Sequence, residues 1–233
     1  VDMDPHGSVT AYFKYDPDQV DRGVYSLFQA ATPMPAGLTA EVILPTRIEA
    51  IRVLPASPAM ATLDRALGAR EGMGRVLVRA LEQVGDRFDY VLIDCPPMLG
   101  VLMVNALAAC EHLLIPVQTE FLALKGLERM LHSLVMIERA RGASLAYTIV
   151  PTLFDRRTHA AIESLRLLQE RYPAQLWSGV IPVDTQLREA SRAGVPLSWL
   201  APRSRASVAY AQLLDHLTGV APVVAVEPAR VPS

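Results

Sequence analysis

Tyr90-Val91-Leu92-Ile93-Asp94-Cys95-Pro96-Pro97 is the stretch from which the fold is read. Residues 90–93 form a short apolar, partly β-branched run, the pattern of a strand buried on both faces. Asp94 ends the run with a lone carboxylate, and two prolines then prevent the chain from continuing as strand or helix. Ligands of open α/β sheets sit outside the carboxyl ends of the strands, where this carboxylate stands. An acid at that place is suited to hold Mg²⁺, through water, beside phosphates. A strand-end Asp that caps the following helix has the same local pattern, so the run alone leaves both readings open.

Working outward, 233 residues suffice for one large α/β domain or two small ones. A hydrophobic share of 51% and a mean hydropathy of +0.25 suit a well-filled core. No stretch reaches the roughly 18 consecutive apolar residues of a membrane span, and the first residues do not read as a signal peptide. Cys95 and Cys110 have neither metal spacing nor a disulfide framework, which fits buried structural thiols in a reducing cytoplasm. A net charge of −2 gives no global attraction to nucleic acid, so any such binding needs a local basic patch.

In Val1-Asp2-Met3-Asp4-Pro5-His6-Gly7-Ser8 a strand end runs into a turn, with Asp2 and Asp4 on one side of the strand. Two carboxylates so placed need a cation, solvent or hydrogen-bond donors. Helical pieces are expected over 24–28, from Ser57-Pro58 onward, and over 74–84, 100–110, 120–139, 159–172, 187–192 and 204–217. Strands are expected over 51–55, 112–117, 147–150 and 179–181. Strands and helices alternate from residue 51, which predicts βαβ units and a mostly parallel, doubly wound sheet flanked by helices. The expected organisation is one domain over 1–217 and a mobile Pro/Val/Ala-rich tail over 218–233.

Four ordered blocks now give a family resemblance. Val1 to Ser8 match the VDxDPQG segment of the ParA/Soj partition ATPases, a branch of the deviant Walker A family that also contains MinD, with His6 in place of the usual Gln. Phe88 to Gly100 match the family's Walker B segment. Leu114 to Leu127 match its IPVQ segment, and Val180 to Gly194 its Ile-Pro segment with the following Glu-Ala pair. The likeness covers residues 1 to about 217 and implies a P-loop NTPase-like fold.

By that resemblance, the cofactors are ATP and Mg²⁺. Asp94 is the carboxylate that holds the metal through water, and Asp4 is the acid needed for hydrolysis, placed to orient the attacking water. Asp2 supports the phosphate side, while Pro182, Val183 and Asp184 wrap the adenine. Arg188, Arg203 and Arg205 fall where DNA-binding relatives carry surface arginines, although ordinary solvated charge explains them as well. The resemblance further implies an ATP-dependent homodimer that binds a surface, non-specific DNA in most relatives. It also implies a stimulating partner or cargo adaptor, and a cytoplasmic protein associated with nucleoid or pole.

Three departures shape these expectations. The family's glycine-rich KGGxGK[ST][ST] signature is absent, and the chain has no Gly-Lys pair. In the family that loop precedes the VDxDP strand and supplies a lysine to the other subunit's site. The chain is therefore expected to lack the first strand, P-loop and first helix, and not to hydrolyse ATP by itself. MinD-like members end in a basic amphipathic helix, whereas Pro222, Pro228 and Pro232 interrupt this C-terminus, so no membrane anchor is expected. Val183 follows Ile181-Pro182 where chromosome segregators carry Arg, and here the chain looks more like ParA homologues that position chemotaxis arrays.

The competing reading is a non-catalytic binding module that acts through protein contacts. An electron-transfer relative would need paired cysteines. His6, His112, His132, His159 and His216 are scattered, with no triad or metal spacing.

Overall fold

The computed structural model describes residues 1–30, 33–63 and 72–219. Its helices are α1 (Ser8–Tyr12), α2 (Val24–Gln29), α3 (Leu38–Val42), α4 (Val76–Glu82), α5 (Val101–Ala109), α6 (Phe121–Arg141), α7 (His159–Arg171), α8 (Gln186–Ala193), α9 (Leu197–Leu200) and α10 (Arg205–Thr218). Its strands are β1 (Leu44–Pro45), β2 (Arg52–Val53), β3 (His112–Gln118) and β4 (Ala146–Thr152). The result is the expected α/β fold with parallel pairing and flanking helices. The expected tail lies, from residue 220 on, outside the described residues.

Two blocks of parallel backbone pairing carry the architecture. In the first, residues 1–3 run between two neighbours. The Asp2 N–H donates to the Leu54 carbonyl (3.0 Å), the Met3 N–H to the Asp94 carbonyl (2.7 Å), and the Asp94 N–H to the Val1 carbonyl (2.9 Å). In the second, β3 and β4 pair in parallel from His112 opposite Ala146 to Gln118 opposite Thr152. Residues 175–183 then run beside β4. The Trp177 N–H donates to the Ile149 carbonyl (3.0 Å) and the Ile181 N–H to the Pro151 carbonyl (2.8 Å), so the strand expected over 179–181 is present as interrupted pairing.

The run at 90–93 departs from expectation. Tyr90 is 73% and Leu92 79% exposed, although the pattern predicts burial on both faces. A parallel strand is buried only where the sheet continues on both edges under helices. Among the described residues, this segment pairs on one edge, with residues 1–3. β3 is likewise paired on its β4 edge alone among them, and Leu114 is 36% exposed.

α5 packs into both blocks. It is apolar all round, as a fully enclosed helix must be. Val101 and Leu102 join the cluster built on Met3, Val24, Leu54 and Leu77, while Met103 and Leu107 pack with Leu134 and Leu145. Its one buried polar side chain, Asn105, is satisfied. Its amide nitrogen donates to the Met73 (2.7 Å) and Val101 (2.8 Å) carbonyls, and its oxygen accepts the Leu77 N–H (3.0 Å).

Two contacts tie the chain's first residues to its last helices. The Tyr12 hydroxyl donates to the Val195 carbonyl (2.8 Å), and the Lys14 ammonium donates to the Arg192 carbonyl (2.6 Å) at the C-terminus of α8. A cation there meets unpaired carbonyls and the negative end of the helix dipole.

Gly7 closes the turn after Asp4 with φ 66°, and a Cβ at this position would lie 2.6 Å from Cγ of Pro17. Both the left-handed backbone and the contact oppose a side chain. Gly7→Ala is expected to cost on the order of 3 kcal/mol in urea unfolding, from left-handed strain plus overpacking. A loss below about 0.5 kcal/mol, the range of an ordinary surface change, would show that the turn relaxes freely.

Candidate functional site

Parallel pairing sets the ends of residues 1–4 and residues 92–94 side by side in the first block, and those of β3 and β4 side by side in the second. The acidic residues collect at the first two of these ends. Asp2 is fully buried. A buried carboxylate needs donors, and it has three: the Thr10 hydroxyl (2.6 Å) and Thr10 N–H (2.8 Å) donate to Oδ2, and the Asp4 N–H (3.2 Å) donates to Oδ1. The Thr10 hydroxyl in turn accepts the Ala56 N–H (2.9 Å), so one side chain joins the Asp2 turn, α1 and the segment after β2. Thr10 escaped the sequence reading because a lone Thr in a five-residue helix has no spacing signal. Its one clue is its place eight residues after a buried acid.

Asp4 sits at the turn, its side chain 22% exposed. Its Oδ1 accepts the His6 N–H (2.9 Å) and lies 2.8 Å from His6 Nδ1. Asp94, on the neighbouring segment, has its carboxyl held above the usual carboxylate range. Desolvation is the main cause, followed by the charges of Asp2 and Asp4, while the Val1 ammonium opposes them. Next to it, burial and the Asp94 charge push the Cys95 thiol up to about 11, so this cysteine is a poor nucleophile at neutral pH. At the end of β3 the Thr119 hydroxyl is buried with no partner among the described residues.

The expected adenine segment lies beside the end of β4, where Phe154 and Pro182 form a parallel bridge. Val183 is 42% exposed, and its carbonyl accepts from Arg205 (3.2 Å). The Asp184 carboxylate is already engaged: Oδ1 accepts the Gln186 N–H (3.0 Å) at the start of α8, and Oδ2 the Ala206 N–H (3.1 Å) at the start of α10. These backbone donors hold its carboxyl below the usual range. Arg188, Arg203 and Arg205 are all exposed, and Arg205 also donates to the Val183 carbonyl. Asp2, Asp4 and Asp94 thus gather at one place, with Pro182–Asp184 at the end of the β4 block. Among the described residues no group of three or more His, Cys, Asp or Glu is arranged to hold a metal. No described helix is long and apolar enough to cross a membrane.

Comparison with known proteins gives a consistent set of relatives. A family model described as an AAA domain matches residues 1–147. The chain is 31% identical to the sporulation initiation inhibitor protein Soj of Bacillus subtilis over 218 residues, covering 93% of this chain and 84% of that protein. It is 29% identical to the chromosome partitioning protein ParA of Myxococcus xanthus, covering 84% and 68%. Among solved structures, cobyrinic acid a,c-diamide synthase from Mycobacterium smegmatis with bound ADP and magnesium superposes with a TM-score of 0.76 at 28% identity, over 93% of this chain and 81% of that one. A Cyanothece McdA–ATP complex superposes with a TM-score of 0.80 at 17% identity, over 96% and 85%, a likeness of fold.

Two outcomes test this geometry. Thr10→Val removes a hydrogen bond to a buried carboxylate and leaves the Ala56 N–H unpaired, and it is expected to cost about 3 kcal/mol in denaturant unfolding. Asp184→Ala is expected to cost about 1 kcal/mol near neutral pH, as for a lost helix cap. Because the folded state depresses this carboxyl, its contribution is present above the ordinary Asp value of about 4 and is lost as pH falls through the folded value. The gap in melting temperature between variant and native chain should therefore close in acid; a gap that widens there would contradict the capping role.

Proposed function

The chain belongs to the ParA/Soj/MinD family of P-loop ATPases, and from that premise we propose that it is a nucleotide-switched positioning protein using ATP and Mg²⁺. The observation that carries this reading is the nearness of Asp4 and Asp94 on neighbouring segment ends, next to the bridge between Asp2 and Asp94. Local chemistry suits the group: a carboxyl destabilised by two negative neighbours gains from a divalent cation. Bound Mg²⁺ supplies charge neutralisation at the β- and γ-phosphates.

The chain's own residues then divide the work. Asp94 holds the metal's water shell, and Asp4, through the oxygen not engaged by His6, orients the attacking water. Asp2 acts through the backbone, since its oxygens are occupied by Thr10 and Asp4; its support of the phosphate side is the fixing of the Asp4 turn. Pro182 and the exposed Val183 would form the wall for the adenine, and Asp184 shapes that wall by accepting N–H groups at the starts of α8 and α10. A dimer able to bind a surface would be favoured by ATP and released on loss of the γ-phosphate, with Arg188, Arg203 and Arg205 as the candidate cations for that surface. A stimulating partner or cargo adaptor sets the rate.

Hydrolysis needs a Gly-Lys phosphate cradle, which these 233 residues do not contain. The exposed edges at 90–93 and β3 favour a second reading, a binding module that acts through protein contacts. Light scattering with and without Mg-ATP separates the two, on this chain and on the coding sequence extended upstream of Val1. The expected result is an ATP-dependent doubling of mass in the extended form only, trapped by Asp4→Ala and abolished by Asp94→Ala. An extended form that neither binds ATP nor changes mass would leave the binding module standing.

A further inference from the structure

The long helix α6 begins without a side-chain cap. Its N-cap residue, Glu120, has the extended backbone that the position requires (φ −146°, ψ 158°), but its side chain accepts no N–H of the first turn. Ser, Thr, Asp and Asn cap well because a short side-chain oxygen reaches the second or third N–H, and the longer Glu is not one of these. Among the described residues the Phe121, Leu122 and Ala123 N–H groups therefore have no acceptor. They lie at the positive end of a 21-residue helix whose first turn carries no acidic residue. Phe121 and Leu122 are 65% and 75% exposed, so this turn is open to solvent.

Thr119, the residue before the cap, brings an independent donor to the same place. Ile115, Val117 and Thr119 are buried while Pro116 and Gln118 are exposed, and the Thr119 N–H still donates to the Thr152 carbonyl (3.2 Å). Strand alternation thus runs through residue 119. Ile115 and Val117 pack with Ala123, Leu124 and Leu127. Thr119 therefore stands on the face that α6 covers, beneath the start of the helix, and its buried hydroxyl has no partner among the described residues. A buried hydroxyl is costly unless it is hydrogen-bonded.

We propose that the start of α6 and the Thr119 hydroxyl form a binding site for a phosphoryl oxyanion, free or carried by a nucleotide. Such a group presents several acceptor oxygens, one for the hydroxyl and others for the amides, and its charge is complemented by the helix dipole. Glu120, exposed beside the site, opposes the anion through its own charge and limits the affinity. The Lys125 ammonium, one turn further on, is already engaged by Glu128 (2.8 Å), so the donors are backbone and hydroxyl. The site belongs to the second block of pairing and draws on neither Asp4 nor Asp94, so it stands or falls apart from the reading of those acids.

The test is a binding titration on this chain without divalent metal. Inorganic phosphate is added to isotope-labelled protein, with ionic strength held constant by sodium chloride, and backbone amides are followed by NMR. The Phe121, Leu122 and Ala123 amides are expected to move along one saturable curve. Thr119→Val keeps the shape and removes the donor, and is expected to weaken binding about ten-fold, whereas Thr119→Ser restores it. Glu120→Gln is expected to tighten binding about two-fold, because a repelling charge is gone. ADP in the same titration separates the sources: saturation at lower ADP than phosphate identifies a nucleotide's phosphoryl group, and saturation at equal concentrations a free one. Amides that stay still in phosphate, or that move equally in chloride, overturn the proposal, as does Thr119→Val binding phosphate like the native chain. Where Thr119→Val fails to fold, the native titration and Glu120→Gln decide.

Discussion

The buried Asp2 carboxylate is the constraint on which the candidate site depends. A charge removed from water is tolerated only when donors take its place, and here Thr10 and the Asp4 N–H do so. Meeting that demand bends the chain sharply after residue 3, draws α1 against the sheet edge and, through Thr10 and Ala56, locks on the segment after β2. Asp4 follows from this arrangement: the turn closed by the Gly7 N–H on the Asp4 carbonyl leaves its side chain partly exposed beside the buried Asp2. The nearby Asp94 then stands among negative charges, so the edge carries a local excess of acid in a chain whose net charge is only −2.

α5 extends the same logic to the rest of the molecule. Every face of the helix is used, one set of side chains toward the Met3 cluster and another toward Leu134 and Leu145. The residue that could disrupt such a helix, Asn105, is instead consumed in three hydrogen bonds to Met73, Leu77 and Val101. Apolar contact supplies the attraction, and the amide fixes how α5 meets α4 and the turn before it.

Much of this was legible in the sequence because period and punctuation agreed. β3, β4 and the long α6 follow their apolar patterns to within a few residues, and Gly100 and Ser204 mark helix starts. That Asp4 and Asp94 lie close together at neighbouring segment ends was legible because motif and strand end coincide. What escaped depends on contacts between distant segments. Thr10 owes its role to Asp2 and Ala56 together, and Asp184 is engaged by Gln186 and by Ala206, 22 residues further on. The run at 90–93 misled for a related reason: its apolar residues report a strand, but burial also requires a neighbour on each edge, which no local pattern records.

The clasp of Tyr12 and Lys14 on Val195 and Arg192 spans 183 and 178 residues of chain. A ribosome adding about 5–20 residues per second needs on the order of 10–40 s to travel that far. Throughout that interval the turn that carries Asp4 has no α8 to rest against, so the site's final shape waits until α8 has been made. Contacts of such long range also slow refolding, because loop closure must be met before they reward it. The turn that would orient the water is thus made well before the helix that secures it.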